Sequence, residues 1–185
     1  MQKHKQEFEM IRIVLLLVAA YLPLNYCKIE IEMQRFEQLG ATSLIDATNL
    51  RIRKYNRTSP VLNGTILIHK DLNNFYEGSM KVFYSRLGNN QFNEYPLKWS
   101  PKPFCHMLND SYRDLQHIFL NHSNFPQVSD EGLCPFPQGT YWFNNAMFPT
   151  EFIPQIVQNG YWRMSIMVND DVHLNLYTYV KNTLT

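Results

Sequence analysis

The chain has 185 residues, with 17 Lys and Arg against 16 Asp and Glu, a formal charge of +1, and an aromatic content of 14%. That balance, with no basic stripe and no run of one sign, excludes a nucleic-acid or polyanion binder. Seven glycines scattered along the chain leave no phosphate-cradling loop.

Residues 1–9 are polar and charged, and 11–20 form a short apolar run, Ile-Arg-Ile-Val-Leu-Leu-Leu-Val-Ala-Ala, flanked by Lys3, Lys5 and Arg12. This pattern predicts a secretory signal peptide over 1–20, with cleavage after Ala20 or as late as Cys27. The run falls short of the roughly 20 apolar residues needed to cross a bilayer, so no stable membrane insertion is expected. Loss of 1–20 would remove three basic side chains (Lys3, Lys5, Arg12) and two acidic ones (Glu7, Glu9), bringing the formal charge to zero. The remaining 28–185 suit one domain with its own core.

Between 28 and 100 the texture is that of strands. Ile29, Ile31 and Met33 alternate with Glu30, Glu32 and Gln34, and Leu50 and Ile52 with Arg51 and Arg53. The block 61–69 is apolar on both faces in its second half, as in a strand covered on both sides. Met80, Val82 and Tyr84 alternate with Lys81, Phe83 and Ser85, and the turn signal Gly88-Asn89-Asn90 leads into 92–99. Strands at this spacing predict an all-β sandwich or open barrel and not a parallel α/β sheet.

Pro101 and Pro103 precede a predicted amphipathic helix over about 103–120. Phe104, Met107, Leu108, Leu115, Ile118 and Phe119 fall at helical spacing, and Asn109, Asp110, Arg113, Asp114 and Gln116 occupy the other face. Pro, Ser, Asn and Gly then mark 121–139 as loop. Three cysteines make an odd count: cleavage after Cys27 leaves Cys105 and Cys134 as one disulfide pair, whereas cleavage at Ala20 leaves Cys27 free or paired between chains. Closing the Cys105–Cys134 loop is worth roughly 3–4 kcal/mol in the chain-entropy account.

Tyr141, Trp142 and Phe143 begin another strand, and 161–168 with 172–180 predict a hairpin across Asn169-Asp170-Asp171. Trp162, Met164, Ile166 and Val168 share one face, as do Val172, Leu174, Leu176 and Val180 on the partner strand. Four N-x-Ser/Thr sequons, at Asn56, Asn63, Asn109 and Asn121, predict a glycosylated, secreted, extracellular protein.

Within 104–167, Cys105 in a short helix, Ser123-Asn124 leading to Cys134-Pro135, then Gly139 and Tyr141, and Pro149 and Pro154 before Gly160-Tyr161, follow one another in an order that resembles a large insect family of small secreted proteins. That family includes the fly chemosensory CheB proteins and is compared with the ganglioside-activator and ML lipid-recognition folds. Relatives often carry a second Pro before the Gly-Tyr pair, where this chain has Gln158-Asn159. The resemblance implies an ML-like or Ig-like β-sandwich, an open β-cup, that takes up a hydrophobic small molecule: a lipid, a fatty-acid derivative or a hydrocarbon.

No catalytic constellation emerges: there is no nucleophile elbow and no H-E-x-x-H. Cys105-His106 are neighbours that point apart on a helix. His117 and His122 are five apart, which does not suit a shared metal, and Asp170 and Asp171 sit in a turn. No enzyme activity, metal or cofactor is expected. The candidate ligand-binding residues are Met80, Val82, Trp162, Met164, Ile166, Leu174 and Leu176, an apolar set in which methionine adapts to varied shapes. The competing expectation is a filled core in a module that docks on an extracellular receptor, with Tyr141, Trp142, Phe143, Phe148 and Phe152 as exposed aromatics.

Overall fold

Strong period-2 patterning over most of the chain produces two antiparallel sheets in a sandwich-like arrangement, seen in a computed structural model that describes residues 27–56, 59–148, 150 and 157–184. The side chains of Cys27 and Leu184 are outside that set, as are the expected signal segment 1–20, the linker residues Pro149 and Pro154, and Phe152. By proximity the chain divides into Ile29–Asn182 and a second unit of Met1–Lys28 with Thr183–Thr185. The packing described below belongs to the first unit.

The larger sheet has the order β1-β9-β8-β5-β6, built from β1 (Cys27–Gly40), β5 (Glu77–Ser85), β6 (Asn93–Pro103), β8 (Gly160–Val168) and β9 (Val172–Leu184). In the smaller sheet β4 (Pro60–Ile68) pairs with β2 (Ile45–Asp46) and β3 (Arg51–Lys54) on one edge and with β7 (Gly139–Ala146) on the other. The predicted hairpin is the β8–β9 pair, with Val168 opposite Val172. Asn169 and Asp170 both have positive φ, 51° and 55°, and the Asp171 N–H donates to the Val168 carbonyl at 3.2 Å. Two left-handed residues between paired strands make a type I′ turn, whose twist matches that of the strands it joins.

This turn is tied to both neighbouring segments. The Asn169 N–H donates to the Glu77 carbonyl at 2.9 Å, the Glu77 N–H donates to Asn169 Oδ1 at 2.7 Å, and the Ala41 N–H donates to the Asp171 carbonyl at 2.9 Å.

The predicted helix is a helical segment over 104–119, but it is not regular. An α-turn at Phe104–Met107 widens to a π-helical stretch at Leu108–Tyr112, returns to α at Arg113–Leu115 and tightens to 3-10 at Gln116–Phe119. In a regular α-helix every fourth residue drifts by about 40° around the axis; the wider turn reverses that drift, so Phe104, Leu108 and Tyr112 all stay on the core side. The expected solvent face is also partly occupied. Gln116 Oε1 accepts from the Val128 N–H at 2.5 Å and Asn109 Oδ1 accepts from the Leu133 N–H at 2.8 Å, so these polar side chains hold the following loop.

The main core lies between the smaller sheet, the helical segment and the turn end of the β8–β9 hairpin. It contains Ile66, Ile68, Leu72, Phe104, Leu108, Phe136, Tyr141, Phe143, Val168 and Val172. Two strand expectations change. The far side of β4 is not covered, since Leu67 is 37% exposed. Phe92 precedes β6 instead of starting it, and its ring meets Tyr177 edge-on at 5.7 Å.

Candidate functional site

Six of the seven predicted ligand-binding residues stand in direct cross-strand register on three adjacent strands. Met80 opposes Ile166, and Val82 opposes Met164. Across the next ladder Met164 opposes Leu176 and Ile166 opposes Leu174. Trp162, two residues before Met164, shares the same face by strand alternation. The seven therefore form one contiguous apolar block on the larger sheet.

Their exposures differ. Met80 and Trp162 are buried, while Val82, Met164, Ile166, Leu174 and Leu176 are half-buried. Leu174 packs against the main core, next to the closed turn end. Trp162 is covered by two residues absent from the predicted set: the Tyr84 ring lies 4.9 Å away and tilted, and the Tyr95 ring 4.9 Å away and edge-on. Its indole N–H donates to the Gln158 carbonyl at 3.1 Å, and the Tyr84 hydroxyl donates to the Asn159 carbonyl at 2.9 Å. Alternation in β5 pointed to Tyr84, which shares parity with Met80 and Val82. Tyr95 escaped because β5 and β6 slip register between Lys81 and Val82.

The residues that carried the sequence resemblance have structural tasks. Cys105 and Cys134 are bonded, Sγ to Sγ 2.06 Å, across a separation of 29 residues, fixing the start of the helical segment to the loop before β7. Asn124 seals the outer edge of β7: its Oδ1 accepts from the Trp142 N–H at 2.6 Å and its Nδ2 donates to the Thr140 carbonyl at 3.2 Å. The carboxamide thus continues along this edge the pairing that His122 and Ser123 make with Asn144 and Phe143. Gly160 has a φ of 139° and lies so close to β5 that a Cβ would sit 2.9 Å from the Tyr84 ring and 3.0 Å from the Ser85 carbonyl oxygen. No other residue fits there without displacing Tyr84.

Phe125, read from sequence as part of a loop, is the hub of an aromatic cluster. Its ring centroid lies 5.0 Å from Phe143, 5.1 Å from Tyr141, 5.6 Å from Phe136, 5.9 Å from Phe119 and 6.4 Å from Tyr112. Tyr141 and Phe143 are consequently buried and not the exposed aromatics expected of a docking surface; of that set Trp142 is exposed, at 42%. Burial pushes the Tyr112 hydroxyl up to about 12, and burial followed by the Asp71 carboxylate raises that of Tyr141.

Among the predicted glycosylation sites, Asn56 and Asn121 are exposed. Asn63 and Asn145 are paired through their amides: Asn63 Nδ2 donates to Asn145 Oδ1 at 3.3 Å, and Asn63 Oδ1 accepts from the Asn145 N–H at 3.0 Å. Asn109 faces Gly132 and Leu133. Of the histidines considered for metal or acid–base chemistry, His122 Nδ1 is 3.0 Å from the Asn144 carbonyl and His173 Nε2 is 3.0 Å from the Asp170 carbonyl. Among the described residues no three His, Cys, Asp or Glu side chains converge on a common metal position, and no helix is long and apolar enough to cross a membrane.

The fold and the site define a two-sheet β protein with a disulfide-pinned helical segment and a half-open apolar sheet face. Residues 78–164, from β5 to the middle of β8, match a family described as protein of unknown function (DUF1091). No curated protein matches the chain.

Proposed function

We propose that this is a secreted glycoprotein whose larger sheet binds a hydrophobic small molecule, a lipid, fatty-acid derivative or hydrocarbon, in an ML-like open β-cup, and that it acts as a carrier or sensor of that ligand and not as a catalyst. One observation carries the reading: Val82, Met164, Ile166 and Leu176 form a continuous cross-strand apolar patch that is only half-buried. A contiguous apolar patch left partly open is the usual ground for binding, and Met164 can repack around different chains. The disulfide supports an oxidising compartment.

The protein secreted from insect cells, examined by native mass spectrometry, should carry copurifying lipid, and a fluorescent fatty acid should titrate it to saturation. Met164→Lys should weaken that binding by roughly tenfold or more, a change of about 1.4 kcal/mol, with the circular dichroism spectrum unchanged. Protein that is empty, does not saturate, and retains an extracellular receptor on a column would overturn the carrier reading in favour of a docking module. The observation favouring that second reading is the diagonal pair Leu67 and Trp142, both exposed, on the outside of the smaller sheet.

A further inference from the structure

The larger sheet has a second face. By strand alternation Tyr161, Arg163, Tyr177 and Tyr179 point away from the apolar block, with Tyr161 opposite Tyr179 and Arg163 opposite Tyr177. The Arg163 guanidinium lies over the Phe83 ring at 4.1 Å and 5.3 Å from that of Phe92. Its Nε is buried without a hydrogen-bond partner. Aromatic faces, not carboxylates, hold this cation.

At the end of that face lies an open depression of about 390 Å³ lined by Arg86, Leu87, Asn159, Gly160, Tyr161 and Tyr179. Its frame is fixed from several directions. The Tyr161 and Tyr179 rings are 4.9 Å apart at 52°. Gly88, at a φ of 67°, lies so close to the Tyr161 ring that a Cβ would meet it at 2.8 Å, and the Gly88 N–H donates to the Ser85 hydroxyl at 3.0 Å. Asn159 is held by its carbonyl, which accepts from the Tyr84 hydroxyl, and by its Oδ1, which accepts from the Asn182 N–H at 2.7 Å. This frame holds the exposed Arg86 and Leu87 at the rim.

The chemistry of the lining is one-sided. Among the described residues no acidic side chain borders the depression, and none pairs with Arg86. A guanidinium presents a planar fork of donors that matches a carboxylate. The adjoining tyrosine rings offer an apolar surface with polar tips. The depression is shallow and open, and its mixed lining suits a hydroxylated ring better than an alkyl chain. We infer that this depression is a binding site for a carboxylated sugar, whose carboxylate pairs with Arg86 and whose ring lies against Tyr161 and Tyr179. It is separate from the proposed lipid-binding face and stands whether or not that face binds lipid.

The test is titration of the ¹⁵N-labelled protein with glucuronate, glucose and acetate, followed through the backbone amides of Gly88, Gly160, Tyr161 and Tyr179. Glucuronate should shift these amides saturably, with glucose and acetate each at least about tenfold weaker, because each lacks one of the two recognised features. Arg86→Gln should weaken glucuronate by roughly tenfold and Arg86→Lys by less, since an ammonium keeps the charge but not the fork. Arg86 is exposed, so both variants should give the parental spectrum without ligand. Acetate equal to glucuronate, glucose equal to glucuronate, an unaltered affinity in Arg86→Gln, or no saturable shift at these amides would overturn the assignment.

Discussion

The two sides of this molecule spend their apolar residues differently. Around the smaller sheet, rings from strand, helical segment and loop interlock on Phe125. Along the middle of the larger sheet, side chains of the same kind stand in register but are only half covered. Both rest on the same alternation along a strand. What differs is the presence of a second layer: the disulfide and the helical segment bring one to the first region, and that closure makes it a core.

The sharpest way to break this contrast is to truncate one residue on each side. Phe136, fully enclosed, should cost about 3–5 kcal/mol on change to Ala. Leu176→Ala, which empties a site already half open to solvent, should cost roughly 1 kcal/mol. Urea denaturation of the two variants measures the difference, and equal losses would mean that the larger sheet is as closed as the smaller.

Alkali probes the closed side from within. The Tyr112 hydroxyl, raised by burial from its ordinary 10.0 to about 12, stays protonated in the folded protein while the unfolded chain ionises. The unfolded state therefore binds fewer protons, and stability falls as pH rises from 10 through 12, by about 1–2 kcal/mol at this partly exposed, solvent-screened ring. Tyr112→Phe should flatten that decline relative to the parent, at the loss of the hydrogen bond its hydroxyl donates to the Pro126 carbonyl. Thermal unfolding across this pH range reads it directly.

An effect well below that of Phe136 lies at the border of the closed side. Asn124→Ala removes two edge hydrogen bonds, and Asn124→Asp keeps the acceptor for Trp142 but not the donor to Thr140. Losses of about 1–2 kcal/mol for Ala and less for Asp are expected in denaturant melts. Faster amide exchange at Trp142 in the Ala variant would show that the edge itself had opened.

Much of this contrast was legible in the residues. The hairpin declared itself through Trp162, Met164, Ile166 and Val168 and through a turn of Asn and Asp, which tolerate positive φ. The helical stripe from Phe104 was visible, but its widening at Leu108–Tyr112 was not, because that departure responds to the core it faces. Phe125 was hidden for a related reason: a ring among Asn, Ser and Pro looks solvent-bound until distant strands supply its partners. β1 runs well beyond Met33 although the alternation breaks before Phe36, which packs on the core. The seven-residue block was readable because register follows from parity; how much of it neighbouring rings would cover depends on Tyr84 and on the shifted Tyr95.

The turn at Asn169 and Asp170 is fastened to the start of β5 and to the residue following β1, so that extremity of the larger sheet behaves as a rivet. Parting β5, β8 and β9 at that extremity must first break these hydrogen bonds, which ties its opening to loss of the turn itself.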